Sequence, residues 1–280
     1  MLIADAQVHI WQANSPQRPW KEGIKPHWDH PLSAEDVLGY MDKAGVRRAI
    51  LTPTGLDFYR NDLSLAAAQR YPDRFGVMGR FELDAPGARD LVATWRKQPG
   101  MLGLRYSIVH EQDVASLNQG RIDWLWPAAE KAGVPVMLLV PPSELHVIDR
   151  IAERHPKLKL VLDHFGLPSG KLDEEAFRDF DKVLATAKWP NVAVKASALP
   201  CYTSDSYPYL RLHPYIRRAY DAFGPRRMFW GTDFSRLPHS CSYGQALTMF
   251  TEEISWLSQQ DKEWIIGRGL CEWLDWKLPD

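Results

Sequence analysis

Three side chains in this sequence have the types and the placement to do hydrolytic chemistry together: His9, His164 and Asp233, each at or just past the end of a short apolar run. The run Arg226-Arg227-Met228-Phe229-Trp230-Gly231 stops on Thr232-Asp233, which reads as a buried strand delivering one carboxylate to a loop. Leu2 to His9 and Leu158 to His164 end in a comparable way. Gln7 lies two residues before His9, and alternation along a strand puts both on one face. If the three strands are neighbours, a carboxylate and two imidazoles converge. Such a group can take a proton from water, or it can hold a divalent ion that activates water. Arg105, at the end of another apolar run, offers a two-point fork for a carboxylate.

The elements that would position these groups alternate. Runs at Arg48–Thr52, Arg74–Gly79, Met101–Tyr106, Val134–Val140 and Asn191–Ser197 read as further strands. Between them lie helical patterns at Ser33–Ala44, Asn61–Tyr71, Ala88–Lys97, Trp124–Lys131, Ser143–Arg154, Phe177–Ala187 and Tyr215–Phe223. Ser33-Ala34-Glu35-Asp36 is a capping box, and Gly45 stops that helix. A helix near Tyr243–Leu257 and one further helix over Asp261–Trp276 complete the chain. Eight strand-then-helix units without a composition break predict a single-domain (β/α)8 TIM barrel over residues 1–280, with catalytic groups at the C-terminal ends of its strands.

The bulk properties exclude several classes. With 45% hydrophobic residues, 25% charged residues and a net charge of −1, nothing favours nucleic acid or an anionic membrane as partner. No apolar run approaches the roughly 18 residues that span a bilayer, and no leader pattern precedes the first strand, so the expectation is a soluble, cytoplasmic protein. The 3 cysteines, Cys201, Cys241 and Cys271, show no metal-ligand spacing and suit a reducing compartment. Tryptophan is abundant, and Trp11, Trp20 and Trp28 fall in the long passage between the first strand and the first helix.

Four motifs in order resemble one family. They are Asp5-x-x-x-His9-x-Trp11, Leu162-Asp163-His164-Phe165-Gly166, Asn191-Val192-x-Val194-Lys195 and Trp230-Gly231-Thr232-Asp233-Phe234. Together they resemble the amidohydrolase superfamily. More narrowly they look like its "amidohydrolase 2" group of TIM-barrel hydrolases, which includes 2-pyrone-4,6-dicarboxylate lactonase and sugar-acid lactonases. The resemblance implies a hydrolase acting on a small-molecule ester. It also exposes departures: the family's first-strand pair is His-x-His, whereas here it is Gln7-x-His9, and strand five has no His or Lys late in its run.

The expectation is therefore a lactone hydrolase acting on a carboxylate-bearing ring without a required metal, as the resemblance to the pyrone lactonase branch allows. Asp233 is the general base, His164 and Arg105 polarise the carbonyl, and His9 completes the catalytic set. Gln7, Trp11, Trp20, Lys195 and His110 are candidates for substrate contact, with Lys195 equally readable as a structural ion pair. Arg18, Tyr202 and His239 read as walls. The alternative is one zinc or manganese ion on His9, His164 and Asp233. Two rival functions remain: a single-metal decarboxylase of aromatic acids, and an inactive barrel that only binds a small molecule. The assembly is a monomer or a homodimer, since Trp273 and Trp276 fit either a barrel floor or an interface.

Overall fold

The computed structural model describes residues 1–277, and of Pro238 and His239 the backbone only. The wall role expected for His239 lies outside the described side chains. Eight strands form one parallel sheet in sequence order: β1 (Ala4–Val8), β2 (Arg48–Leu51), β3 (Phe75–Gly79), β4 (Met101–Ser107), β5 (Val136–Leu139), β6 (Leu160–Leu162), β7 (Val192–Ser197) and β8 (Met228–Gly231). Helices follow the strands on the outside, as a right-handed crossover between parallel neighbours demands. The result is the expected (β/α)8 barrel.

Buried on both faces, the strands carry little but apolar residues. Their inward side chains Ala4, Ala6, Ile50, Met78, Leu102, Met137, Val161, Ala193 and Phe229 make a separate core inside the barrel. Leu270, Cys271, Leu274 and Trp276 of the C-terminal helical segment plug its lower end, with Trp273 packed alongside. Truncating Phe229 there would cost about 3–5 kcal/mol.

The seam between β1 and β8 is closed by side chain as well as backbone. The Asp233 N–H donates to the Gln7 carbonyl at 2.9 Å. Asp5 accepts from the Thr232 N–H at 2.8 Å, from the Tyr243 hydroxyl at 2.7 Å, from the Thr232 hydroxyl, and from the Gln7 N–H at 3.0 Å. Burial pushes the Asp5 carboxyl up to about 6, and these donors oppose that rise. Gly231 is part of the same seam, because a Cβ there would stand 3.0 Å from the Ala6 nitrogen.

Two local differences from the sequence reading have physical causes. A helix at Glu111–Asn118 was not expected, because only Val114 and Leu117 mark its apolar side. The last two helical stretches are interrupted by wider turns at Met249–Glu253 and Trp264–Arg268, which a shared apolar spacing does not reveal. The capping box Ser33/Asp36 and the left-handed stop at Gly45 (φ 73°) are as expected. No helix among the described residues is long and apolar enough to cross a membrane.

Candidate active site

Above the apolar interior the barrel becomes polar. Lys195 and Asp163 each follow an inward residue, Ala193 and Val161, by two positions and so share its face. Both are fully buried. Asp163 bonds Lys195 Nζ at 2.7 Å and Arg105 Nε at 2.8 Å, so one carboxylate is shared between two cations. Burial opposes its ionisation, but Lys195 and Arg105 outweigh it and bring Asp163 down to about 2. Burial lowers Lys195, against the pull of Asp163. Arg105 is steered further by the Ser107 hydroxyl, which accepts from Nη1 at 2.7 Å.

Lys195 also donates to Gln7 Oε1 at 2.8 Å. An ammonium has no acceptor, so this bond fixes which end of the Gln7 amide is oxygen. The amide nitrogen then faces His9 Nε2 at 3.3 Å, His164 Nε2 at 3.4 Å and Asp233 Oδ1 at 3.3 Å. Gln7, His9, His164 and Asp233 are thus brought together, as the strand ends predicted.

Hydrogen-bond partners set the protonation of the two imidazoles. His9 Nδ1 lies 2.6 Å from the Thr52 carbonyl and must donate to it. Its Nε2 is 2.9 Å from Asp233 Oδ1, a contact that holds a proton shared between the two. His164 Nδ1 meets the Ser197 hydroxyl at 2.8 Å, leaving Nε2 to accept from Gln7. Burial pushes His164 down to about 4, so the ring is neutral at working pH. Asp233 is buried too, yet the His9 hydrogen bond, together with the Arg236 charge, outweighs desolvation and holds it well below the usual carboxylate range. Its Oδ2 is the less engaged oxygen, with His164 Nε2 at 3.5 Å and Arg236 Nη1 at 3.6 Å.

The turns presenting these groups are strained. His164 (φ 50°), Phe165 (φ 54°) and Asp233 (φ 50°) all adopt the left-handed conformation without being glycine. Each such residue costs about 1–3 kcal/mol, and strain of this kind concentrates where side chains must be aimed.

Two cavities open at this end of the barrel. One of about 150 Å³ is lined by His9, Trp11, His27, Thr54, Arg105 and Ser235 among others. The second, of about 470 Å³, shares Arg105 and adds Lys21, Tyr59, Arg80, Tyr106, His110 and Arg121, with Glu82, Asp84 and Asp113 also on its wall. Arg80 had escaped sequence reading, although a basic residue just past β3 was the available signal. Its Nη2 donates to the Pro53 carbonyl, while its Nε is buried without a hydrogen-bond partner. Burial and the neighbouring Arg105 bring it down to about 10.

The other candidates are distributed as follows. His110 reaches the larger cavity from the start of the Glu111–Asn118 helix. Trp11 is buried beneath Trp28, ring centroids 6.2 Å apart, and its loop is pinned across the barrel by Trp28 Nε1 donating to the Ser235 carbonyl at 2.7 Å. Trp20 folds onto its own loop, donating to the Gln12 carbonyl at 3.0 Å, and lines neither cavity. Arg18 binds Asp57 and Asp62. Tyr202 receives Arg236 Nη1 at 3.2 Å. Burial raises the Cys241 thiol to about 12, which leaves it inert as a nucleophile.

The residues present do not fit a divalent ion in this arrangement. A tetrahedral or larger metal site needs lone pairs about 2.0–2.2 Å from the ion, and the space between His9, His164 and Asp233 is addressed by an N–H donor. Gln7 has one oxygen to offer, and it is turned to Lys195. Among the described residues no group of three His, Cys, Asp or Glu has a metal-holding geometry.

An eight-stranded parallel barrel with a buried His, Lys and Asp cluster at the C-terminal ends of its strands has the layout of a TIM-barrel enzyme site. Within that class the match is specific. The Amidohydrolase (Amidohydro_2) family model covers residues 4–268, and the chain belongs to this family. It is 29% identical over 257 residues to an L-fucono-1,5-lactonase of Burkholderia ambifaria, covering 86% of this chain and 83% of the relative. An amidohydrolase of Burkholderia multivorans with bound zinc superposes with a TM-score of 0.82 at 21% identity, each chain covered in full. A Pseudomonas putida protein assigned as a 2-pyrone-4,6-dicarboxylic acid hydrolase gives a TM-score of 0.78 at 20% identity, with 99% of each chain covered. At such identities the two solved structures establish likeness of fold alone.

Proposed function

We propose that this protein hydrolyses a lactone, with water as nucleophile and without a resident metal. The observation that carries the reading is Asp233: ionised, strained into place, with Oδ1 committed to His9 and Gln7 and Oδ2 left to address a water. Water loses its proton to Asp233 as its oxygen attacks the lactone carbonyl. The ring C–O bond then breaks, and the proton returns from Asp233 to the departing alkoxide, so the residue serves in turn as base and acid. Arg105, which touches both cavities, stabilises the oxyanion that forms on the carbonyl oxygen. Neutral, buried His164 acts by holding Asp233 and Gln7 in register, and Lys195 by fixing the Gln7 amide.

The relatives' names supply the ester class: one is an L-fucono-1,5-lactonase, another is assigned to a pyrone dicarboxylate. For this chain the proposal is a ring bearing a carboxylate, because Arg80 and Arg105 face the larger cavity and Arg80 has no carboxylate partner among the described residues. The Trp11 loop forms the apolar wall against the ring. Localisation in the cytoplasm and action as a monomer or dimer belong to the same proposal.

The test is acid release from a panel of carboxylated and neutral sugar lactones, with and without chelator, using Asp233→Asn as control. Chelator-resistant turnover that falls by about 10³-fold in the variant supports the reading. Turnover abolished by chelator and restored by zinc would replace it with metal catalysis. No turnover on any lactone would leave the decarboxylase or the binding protein in its place.

A further inference from the structure

We infer that the Gln7 carboxamide stands in for a cation: its N–H2 group organises His9, His164 and Asp233, and exchanging that nitrogen for an oxygen turns the same cluster into a zinc site. The inference deepens the metal-free reading above and rests on it. It is tested by binding rather than turnover, so the two are judged separately.

The argument is one of donors and acceptors. His164 Nε2 and Asp233 Oδ1 present acceptor positions toward Gln7 Nε2, at 3.4 and 3.3 Å, and His9 Nε2, which shares its proton with Asp233, lies 3.3 Å from the same nitrogen. Converging lone pairs repel unless something positive lies between them. A metal would supply that charge; here the partial positive charge of two amide hydrogens does. The two amide hydrogens face two acceptors, His164 Nε2 and Asp233 Oδ1. The His9–Asp233 proton supplies the rest.

The amide cannot turn over to offer its oxygen while Lys195 is charged. Lys195 Nζ is held 2.8 Å from Gln7 Oε1 and 2.7 Å from Asp163, and a reversed amide would press N–H2 against the ammonium. The lock therefore runs from Asp163 through Lys195 to Gln7. An ion held by His9, His164 and Asp233 would meet the N–H2 end of the amide, which has no lone pair to give it.

Gln7→Glu tests this with no change of shape. The new carboxylate keeps one oxygen on Lys195 and turns the other, now an acceptor, toward the cluster. Gln7→His provides a second ligand type. Each protein is freed of metal by chelator dialysis, its fold checked by circular dichroism, and titrated with zinc by calorimetry; cobalt(II) absorption reports tetrahedral coordination. The expected result is that at least one folded variant binds one zinc about 100-fold tighter than wild type and shows the cobalt band, which wild type lacks. Wild type binding one zinc within about tenfold of the variants would overturn the inference. So would two folded variants that bind none.

Discussion

Asp163→Asn removes the carboxylate that bridges two buried cations, and its cost follows from the geometry. Asp163 and Lys195 are fully buried and Arg105 nearly so, at 2.7 and 2.8 Å from the carboxylate. Breaking a buried pair by deleting one partner costs about 3–5 kcal/mol, because the survivor is left charged and unsolvated. Asparagine keeps one acceptor oxygen, so the expected loss is about 3 kcal/mol. For a domain of this size each kcal/mol lowers Tm by about 2–4 °C, giving a drop of about 6–12 °C at neutral pH in calorimetry or fluorescence-monitored melting. Lys195→Met alone should be similarly harmful. The double variant should recover about 2 kcal/mol of the summed losses, since it retires both charges. The pH dependence has a definite sign. Asp163 is depressed to about 2, so its contribution is fully present above about pH 4 and is lost as pH falls toward 2. The gap between wild type and Asp163→Asn should close over that window. A Tm drop under about 2 °C, strict additivity in the double variant, or a gap that persists at low pH would refute the reasoning.

Other outcomes are expected from the same contacts. Arg80→Leu should raise KM for carboxylated lactones by about tenfold or more while leaving kcat and neutral lactones little changed, measured by steady-state kinetics. Asp5→Ala should cost about 3 kcal/mol, because two backbone N–H groups lose their acceptor, whereas Asp5→Asn should cost about 1 kcal/mol, its remaining oxygen serving both; urea unfolding separates them. Gly267→Ala should destabilise by about 2 kcal/mol or more, since its Cβ would lie 2.2 Å from the Leu2 carbonyl oxygen, a clash with backbone that a small side-chain shift cannot relieve.

The barrel was legible because parallel strands buried on both faces leave apolar runs that Gly and Pro punctuate. His9, His164 and Asp233 were legible because each ends such a run. The partnership of Lys195 with Asp163 was not: two residues 32 positions apart on β7 and past β6 declare nothing about pairing until the register aligns Leu162 with Val194. Nor did Gln7 disclose that its amide would point its nitrogen inward, a choice made by Lys195. Asp5 stood in a quoted motif without a role, since a seam between first and last strands has no local signature. Trp20 fell in the aromatic loop, but composition says which residues cluster and leaves open which way each ring turns.

The seam has a consequence for when this protein becomes competent. Gln7 and His9 belong to the first strand and its exit, Asp233 to the exit from the last, and the bond from the Asp233 amide to the Gln7 carbonyl joins backbone at the same place where their side chains meet. During synthesis the chain carries half of the proposed reactive group for more than two hundred residues before the other half emerges. Ring closure and assembly of the proposed reactive cluster are one event. Any breathing that opens the barrel at β1 and β8 also parts His9 from Asp233, so that fluctuation is expected to switch off the chemistry proposed for them. Amide exchange at Thr232 and Asp233 would therefore clock both.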